Sequence, residues 1–415
     1  MKYNILPLLL MFLLGGSPGF TQDRNLDYYL QISRQNSPLL KDYHNQQLKN
    51  KADNMRLQAS FGPQAYANMN AMYAPIIKGW GYDEVLSNHQ FFNAVVGVSY
   101  PIIERKNINN QRTNLTIQNS LLDNQLHISQ KDLIKEVTSQ YIRVYGDGQE
   151  YEFNSDIYDL LQKEENILKK LTNNSVYKQT DYLTFLVTLK QQKMTLLQIR
   201  AQQQCDLASL NYLCGTKDTS CVQISTPQIV LSHSTNVMAT LFYKKFETDS
   251  LRLGNEDAAI DFSYHPKMNF IADAGYNSSF IKQPYKNFGP SVTLNVSIPL
   301  YDGHQRKFQH RKISLDEDTR QEYQKFFINQ YNQQMNSLLQ QLKSTEALIS
   351  QSAEQIKLSE ALIKSNQKLL SVGDIRITDY LLILQNYLNA KNSIIHSEVD
   401  KLQIINQINY WNSIQ

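Results

Sequence analysis

The sequence predicts a mixed α/β membrane protein: amphipathic strands, four per chain, belong to a transmembrane barrel closed by association, and long coiled-coil helices continue it. Three observations predict this. The chain has 415 residues but only 15 Gly and 11 Pro, roughly half of what average usage would supply, so long helices are expected. Four short segments alternate apolar and polar residues. The whole pattern occurs twice along the chain.

The N-terminus comes first. Lys2 precedes an apolar run from Ile5 to Leu14, and small residues follow up to Thr21. That is the anatomy of a cleaved secretory signal over residues 1–21, because a membrane-spanning helix needs about 20 apolar residues. No cysteine lies near the cleavage region, which removes the usual lipid attachment point. No later window has the length and apolarity of a spanning helix, so a membrane span must be β. The formal net charge of +3, without a concentrated basic run, gives no nucleic-acid partner.

Repetition then fixes the organisation. Val98-Ser99-Tyr100-Pro101-Ile102-Ile103 returns as Val296-Ser297-Ile298-Pro299-Leu300-Tyr301, Thr180-Asp181-Tyr182-Leu183 as Thr378-Asp379-Tyr380-Leu381, and Asn211-Tyr212 as Asn409-Tyr410. All three matches share one offset, from Pro101 to Pro299. Pro63 and Tyr73 match Pro266 and Tyr276 at a slightly larger offset, so an insertion near residues 74–90 separates the registers. A first repeat over 22–215, a linker over 216–236 and a second repeat over 237–415 are expected. Each holds a helix, a β-hairpin, a long helix and a return helix, with hairpins over about 63–101 and 266–299.

The opening helices are expected from Leu26 to Ser60, about 35 residues, and from about Val237 to Phe262. Asn36-Ser37-Pro38 marks a break in the first. In the hairpins, Ala65, Ala67, Met69, Ala71 and Tyr73 alternate with Tyr66, Asn68, Asn70 and Met72, and Phe92, Ala94, Val96 and Val98 with Asn93, Val95, Gly97 and Ser99. In the second copy Met268, Phe270, Ala272 and Ala274 oppose Asn269, Ile271, Asp273 and Gly275. Val292, Leu294, Val296 and Ile298 oppose Ser291, Thr293, Asn295 and Ser297. Segments of about nine to eleven residues with one face of each kind suit a barrel wall between lipid and water, and also suit a half-buried soluble sheet. Tyr73, Tyr100, Tyr276 and Tyr301 stand near strand ends, where aromatic girdles belong. Ile76 to Asn88 and Lys282 to Asn287 are then extracellular loops.

The helices decide between the two. Between Gly303 and Gly373 there is no glycine, and from Asp302 to Ser371 no proline. Met335, Leu342, Ile349, Ile356, Ile363 and Leu370 recur every seventh residue. Such a helix is a rod of roughly 100 Å. The first copy, Glu104 to Thr172, carries Val137, Val144, Tyr151 and Tyr158 in one register, with local loosening expected at Gly146 and Gly148. Short breaks follow at Asn173 to Ser175 and at Val372 to Asp374. Return helices of about 36 residues come next, the second with Leu381, Leu388, Ile395 and Leu402 at heptad spacing. Four strands cannot close a transmembrane barrel, which begins at about eight, so the chain must associate. Two copies would give a barrel filled by its own side chains, and a channel therefore favours a homotrimer with twelve strands.

With those elements in order, the sequence resembles the TolC-type family of outer-membrane efflux and secretion channels. Val296-Ser297-Ile298-Pro299-Leu300-Tyr301-Asp302-Gly303 is similar to the family's strand-to-helix junction, and Val372-Gly373 with Thr378-Asp379-Tyr380-Leu381 to its helix-tip motif. Asn36-Ser37-Pro38 and the strand-opening Pro63 and Pro266 fit the same pattern, and coverage runs from about Leu26 to Trp411. The resemblance implies a homotrimer in the outer membrane of a Gram-negative bacterium, reaching into the periplasm. Its implied partners are outer-membrane lipid, a periplasmic adaptor (membrane fusion) protein and an inner-membrane pump of the RND or ABC type. It also implies a passive exit duct of a tripartite efflux pump; the outer-membrane component of a type I protein secretion system is the alternative within the family. An exported coiled-coil adhesin or scaffold would share the heptads and the signal but not the paired strands.

The resemblance places a pore constriction at the helix tips, with Asp379 and Asp181, their neighbours Thr378 and Thr180, and Arg376, which could pair with either carboxylate. Thr-Asp at both places also reads as an N-cap of the return helix, and the two roles are compatible. Val372, Gly373 and Ser175 form the expected adaptor contact. Ser175 departs from the family's tip glycine and Leu382 from a second acidic position. No glycine-rich phosphate loop, nucleophile elbow or converging histidines occur, so neither an enzyme, a cofactor nor a metal is expected. Cys205, Cys214 and Cys221 leave at least one thiol unpaired; a local Cys214–Cys221 bridge and three buried thiols both remain open.

Overall fold

The computed structural model describes residues 24–83, 89–217, 224–232 and 236–414. The expected signal over 1–21, the end of the 76–88 loop and Cys221 lie outside the described residues.

Seven α-helices and four strands follow one another among the described residues. Helices α1 (Leu26–Asn36) and α2 (Pro38–Ser60) lead to strands β1 (Gln64–Tyr73) and β2 (Gln90–Ile102). The long helix α3 (Arg105–Asn173) and the return helix α4 (Gln179–Leu213) come next. Helix α5 (Leu241–Ser263), strands β3 (Lys267–Ser278) and β4 (Phe288–Ser297), the long helix α6 (Gln305–Val372) and the return helix α7 (Ile377–Trp411) complete the chain. Among the described residues no helix is long and apolar enough to cross a membrane.

The helix ends follow local chemistry. Ser37 separates α1 from α2 as expected: its Oγ accepts from Leu40 N at 3.4 Å, and Pro38 opens α2, where its missing N–H is harmless. The second opening helix is shorter than expected. Val237–Ala239 forms a single 3₁₀ turn, and Thr240 restarts the chain as α5 with its Oγ accepting from Tyr243 N at 3.3 Å. Asp302 caps α6, its carboxylate accepting from His304 N at 2.9 Å and Arg306 N at 2.7 Å.

The expected loosening at Gly146 and Gly148 is absent, since α3 runs unbroken through both. A β-carbon on Gly146 would lie 2.5 Å from Val399 Cγ2, so this glycine lets α7 approach closely. In α6 the heptad residues Met335, Leu342, Ile356, Ile363 and Leu370 are buried. In α3 the expected register is buried at Val137 and Val144 and then gives way to Asn154, Leu161 and Leu168, leaving Tyr151 and Tyr158 half-buried. A straight helix of 3.6 residues per turn drifts by about 20° per heptad and changes which positions face inward.

Packing groups the chain into two compact units that cut across the sequence repeats. One comprises Ser37–Lys135, Val230–Ser344 and Ile404–Gln415. Its strands form one antiparallel sheet in the order β1-β2-β3-β4. The register places Tyr66, Gly97, Asp273 and Ser291 side by side on one face, and Ala67, Val96, Ala274 and Pro290 on the other. The second face is apolar and open: Met69 is 72% exposed, Val96 67% and Val292 70%. The outer edges of β1 and β4 have no strand partner among the described residues.

The other unit comprises Met1–Asn36, Glu136–Ile229 and Thr345–Gln403. Tyr29, Tyr141 and Ile142 are buried in it, and Tyr141 Oη donates to Ser225 O at 2.7 Å. Cys214 is buried with a free thiol whose Sγ lies 3.5 Å from Tyr29 O, and burial pushes that thiol up to about 12. The apolar centre of this unit holds Ile157, Leu161, Leu168, Phe185, Leu370, Tyr380 and Leu384, directly behind the two helix turns that carry the candidate site.

Candidate functional site

The two turns are built alike. At the end of α3, Val176 N bonds Leu171 O at 2.9 Å and Ser175 N bonds Thr172 O at 3.0 Å; at the end of α6, Asp374 N bonds Leu369 O at 2.9 Å and Gly373 N bonds Leu370 O at 3.2 Å. Both are Schellman turns, which need a left-handed residue after the helix. Gly373 supplies it at φ +84°, and Ser175 adopts the same region at φ +60° despite its side chain. Position 373 has a second reason to be glycine: a β-carbon there would lie 2.3 Å from Val176 Cγ1. The two turns therefore touch, Val176 filling the space beside Gly373.

Tyr177 fastens them. Its ring is buried in the apolar centre and its Oη donates to Ile375 O at 3.0 Å. Burial raises the Tyr177 phenol above its ordinary range, against the pull of that bond.

The expected constriction residues follow on the first turns of α4 and α7. The N-cap of α4 is Lys178 rather than Thr180 or Asp181. Asp181 stands three residues later and its Oδ2 accepts from Lys178 N at 3.3 Å, the returning half of a capping box. Asp379 occupies the matching place in α7, with its N–H on Arg376 O at 3.1 Å. Its carboxylate is exposed and makes no hydrogen bond or ion pair among the described residues, and the same is true of the exposed Arg376 side chain. The pairing of Arg376 with Asp181 or Asp379 is thus not made within one chain. Thr180, Thr378, Ser175 and Val372 are exposed, and Gly373 is half-buried.

A pair of contacts behind the turns was not expected from sequence. Tyr182 Oη donates to Glu165 Oε1 at 2.6 Å, and Tyr380 Oη donates to Glu164 Oε1. The tyrosines are equivalent residues of the Thr-Asp-Tyr repeats and the acceptors are neighbours on α3, so one helix anchors both return helices. Glu165 is half-buried, whereas Glu164 is 5% exposed with Oε2 lacking a hydrogen-bond partner. Burial pushes Glu164 up to about 7, opposed by the Tyr380 hydroxyl. The recurring tyrosine was visible in sequence; its acceptor was not.

No family model matches the chain, and no curated protein matches it by sequence. Solved structures do. The transmembrane channel protein CusC superposes with a TM-score of 0.77 at 10% identity, over 100% of this chain and 99% of that one. The outer membrane protein VceC from Vibrio cholerae gives 0.76 at 12% identity, over 94% and 96%. The outer-membrane channel OprN gives 0.76 at 13% identity, over 94% and 90%. Identities this low carry the fold alone, and the chain accordingly has the fold of the TolC-type outer-membrane channels.

Proposed function

We propose that the chain is one protomer of an outer-membrane channel of efflux type, a homotrimer whose sheets close a twelve-stranded barrel and whose helices line a periplasmic tunnel. The observation that carries this reading is the sheet. One face is mostly apolar and largely exposed, the other carries the sheet's Asn, Ser and Thr residues together with Val95 and Ile271, and the edges of β1 and β4 are open. An exposed apolar face of that extent has no stable place in water, and an open edge has none in lipid, where every backbone polar group needs a partner. Joining β4 of one copy to β1 of the next satisfies both demands. The likeness to solved outer-membrane channels supports the same reading.

In this reading the channel performs no chemistry and is a passive duct. The helix turns at Ser175 and Gly373 face a periplasmic adaptor, an inner-membrane pump of the RND or ABC type supplies the energy, and Asp379 with Asp181 lines the entrance. The test is direct. Protein extracted from the outer membrane in detergent should migrate as a heat-resistant trimer and conduct ions in planar lipid bilayers. A monomer soluble without detergent, or a trimer that never conducts, would overturn the proposal.

A further inference from the structure

One layer of the polar sheet face differs from the rest. Tyr66, Gly97, Asp273 and Ser291 stand in line across all four strands. Ser291 Oγ donates to Asp273 Oδ1 at 2.6 Å, and Tyr66 Oη reaches toward Oδ2 at 3.5 Å from the opposite side. The tyrosine can cross a strand because position 97 has no side chain: a β-carbon on Gly97 would lie 2.8 Å from Tyr66 Oη and 2.8 Å from Asp273 Cβ. Among the described residues, Asp273 is the only charged side chain in any strand apart from Lys267 at the start of β3. Around it on the same face stand Ile271 and Gly275 along β3 and Val95 and Ser99 on β2, with Asn68, Asn93, Asn277 and Thr293 further out, and none of these carries a charge.

We infer that Asp273 is the charge-selecting residue of the barrel interior, one carboxylate from each protomer forming an acidic ring that favours cations over anions, with Ser291 and Tyr66 as positioning residues. This rests on the trimeric duct reading above. The polar face is the one a transmembrane barrel turns toward water, and rings of carboxylates lining a pore confer cation preference. Even at full water screening, one unit charge acting over about 8 Å changes the local abundance of a monovalent ion by about twofold, and the low-dielectric wall strengthens that field. Held between a hydroxyl on each side, the carboxylate is kept over the strand layer rather than swinging along the wall. The ring discriminates by charge, so inorganic and organic cations are both favoured.

The test is the reversal potential of single channels of the mature protein in planar bilayers under a potassium chloride gradient. Asp273→Asn should lower the cation-to-anion permeability ratio by about twofold or more, with trimers still heat-resistant. Tyr66→Phe should give a smaller drop in the same ratio. Asp273→Ser combined with Ser291→Asp moves the carboxylate one strand along the same layer and should return the ratio toward that of the unaltered channel. A conducting Asp273→Asn trimer with unchanged reversal potential would overturn the inference and leave the duct reading standing. Should Asp273→Asn fail to assemble, the double exchange decides: a preserved ratio supports the ring, and a lost cation preference in a conducting double variant refutes it. Absence of conductance in the unaltered protein would remove both.

Discussion

The hydroxyl of Tyr177 donates to the carbonyl of Ile375 across 3.0 Å, joining a residue to its own counterpart 198 positions later. The two helix turns are thus tied through equivalent places in the repeat. Tyr177→Phe keeps the buried ring and removes the bond, which should cost about 1 kcal/mol. Amide exchange at Ile377 to Tyr380 should quicken severalfold, and exchange rates equal to those of the unaltered protein would show that the bond does not hold the turn.

Gly373→Ala should be worse. An L-residue in the left-handed region costs roughly 1–2 kcal/mol, and its β-carbon would collide with Val176 Cγ1 at 2.3 Å. Val176→Ala in the same chain should recover the part due to collision and not the part due to φ. Thermal unfolding of the single and double variants separates the two, and equal losses in both would mean that Val176 plays no part.

Glu164 gives the pH dependence. Its ordinary value of 4.5 is pushed to about 7 in the folded chain, so the folded state keeps a proton that the unfolded state releases. Between about pH 4.5 and 7 the unfolded state binds fewer protons, and stability falls as pH rises through that window, levelling off above it at a loss of about 3 kcal/mol. Glu164→Gln should therefore stabilise the tip unit at pH 8 and change little at pH 4. Amide exchange along α7 at the two pH values is the check, and a benefit confined to the acidic side would contradict the assignment.

Asp181 and Asp379 hold equivalent positions but only Asp181 returns a hydrogen bond to its N-cap amide. Asp181→Ala should therefore cost about 1 kcal/mol of α4 stability, while Asp379→Asn should leave stability nearly intact. If three Asp379 carboxylates line the entrance, Asp379→Asn weakens cation selectivity in bilayer recordings. An unshifted reversal potential would remove Asp379 from the constriction.

For the sheet, Leu294→Asp or Val296→Lys places a charge on the exposed apolar face. Trimer assembly in lipid should lose about 2–4 kcal/mol for the lysine, and less for the aspartate, if the sites lie near mid-bilayer. Thr293→Lys, on the opposite face, should be much milder. Equal effects on both faces would argue against a membrane-facing side.

What the residue order alone discloses lies within a few residues of its cause. The period of two told which face of each strand Met69, Val96 and Leu294 share, and the register agrees. Ser37-Pro38 marked the break between α1 and α2, and the absence of breakers after Gly303 gave α6 its length. Side-chain alternation, capping bonds and heptad burial are short-range effects, so they leave a mark in the residue order. Tertiary structure alone decided the rest. Nothing near Gly146 announces Val399, nothing near Ser175 forces its left-handed backbone except the turn it must close, and nothing in the Glu164-Glu165 pair tells which of two tyrosines each will accept from. Tyr380 and Glu164 are 216 residues apart, and Tyr66 meets Asp273 across 207. Such pairings depend on which helix face or strand comes to lie opposite, and that choice is made by the packing of whole elements, where a drift of about 20° per heptad leaves Tyr151 half-buried and buries Asn154 instead.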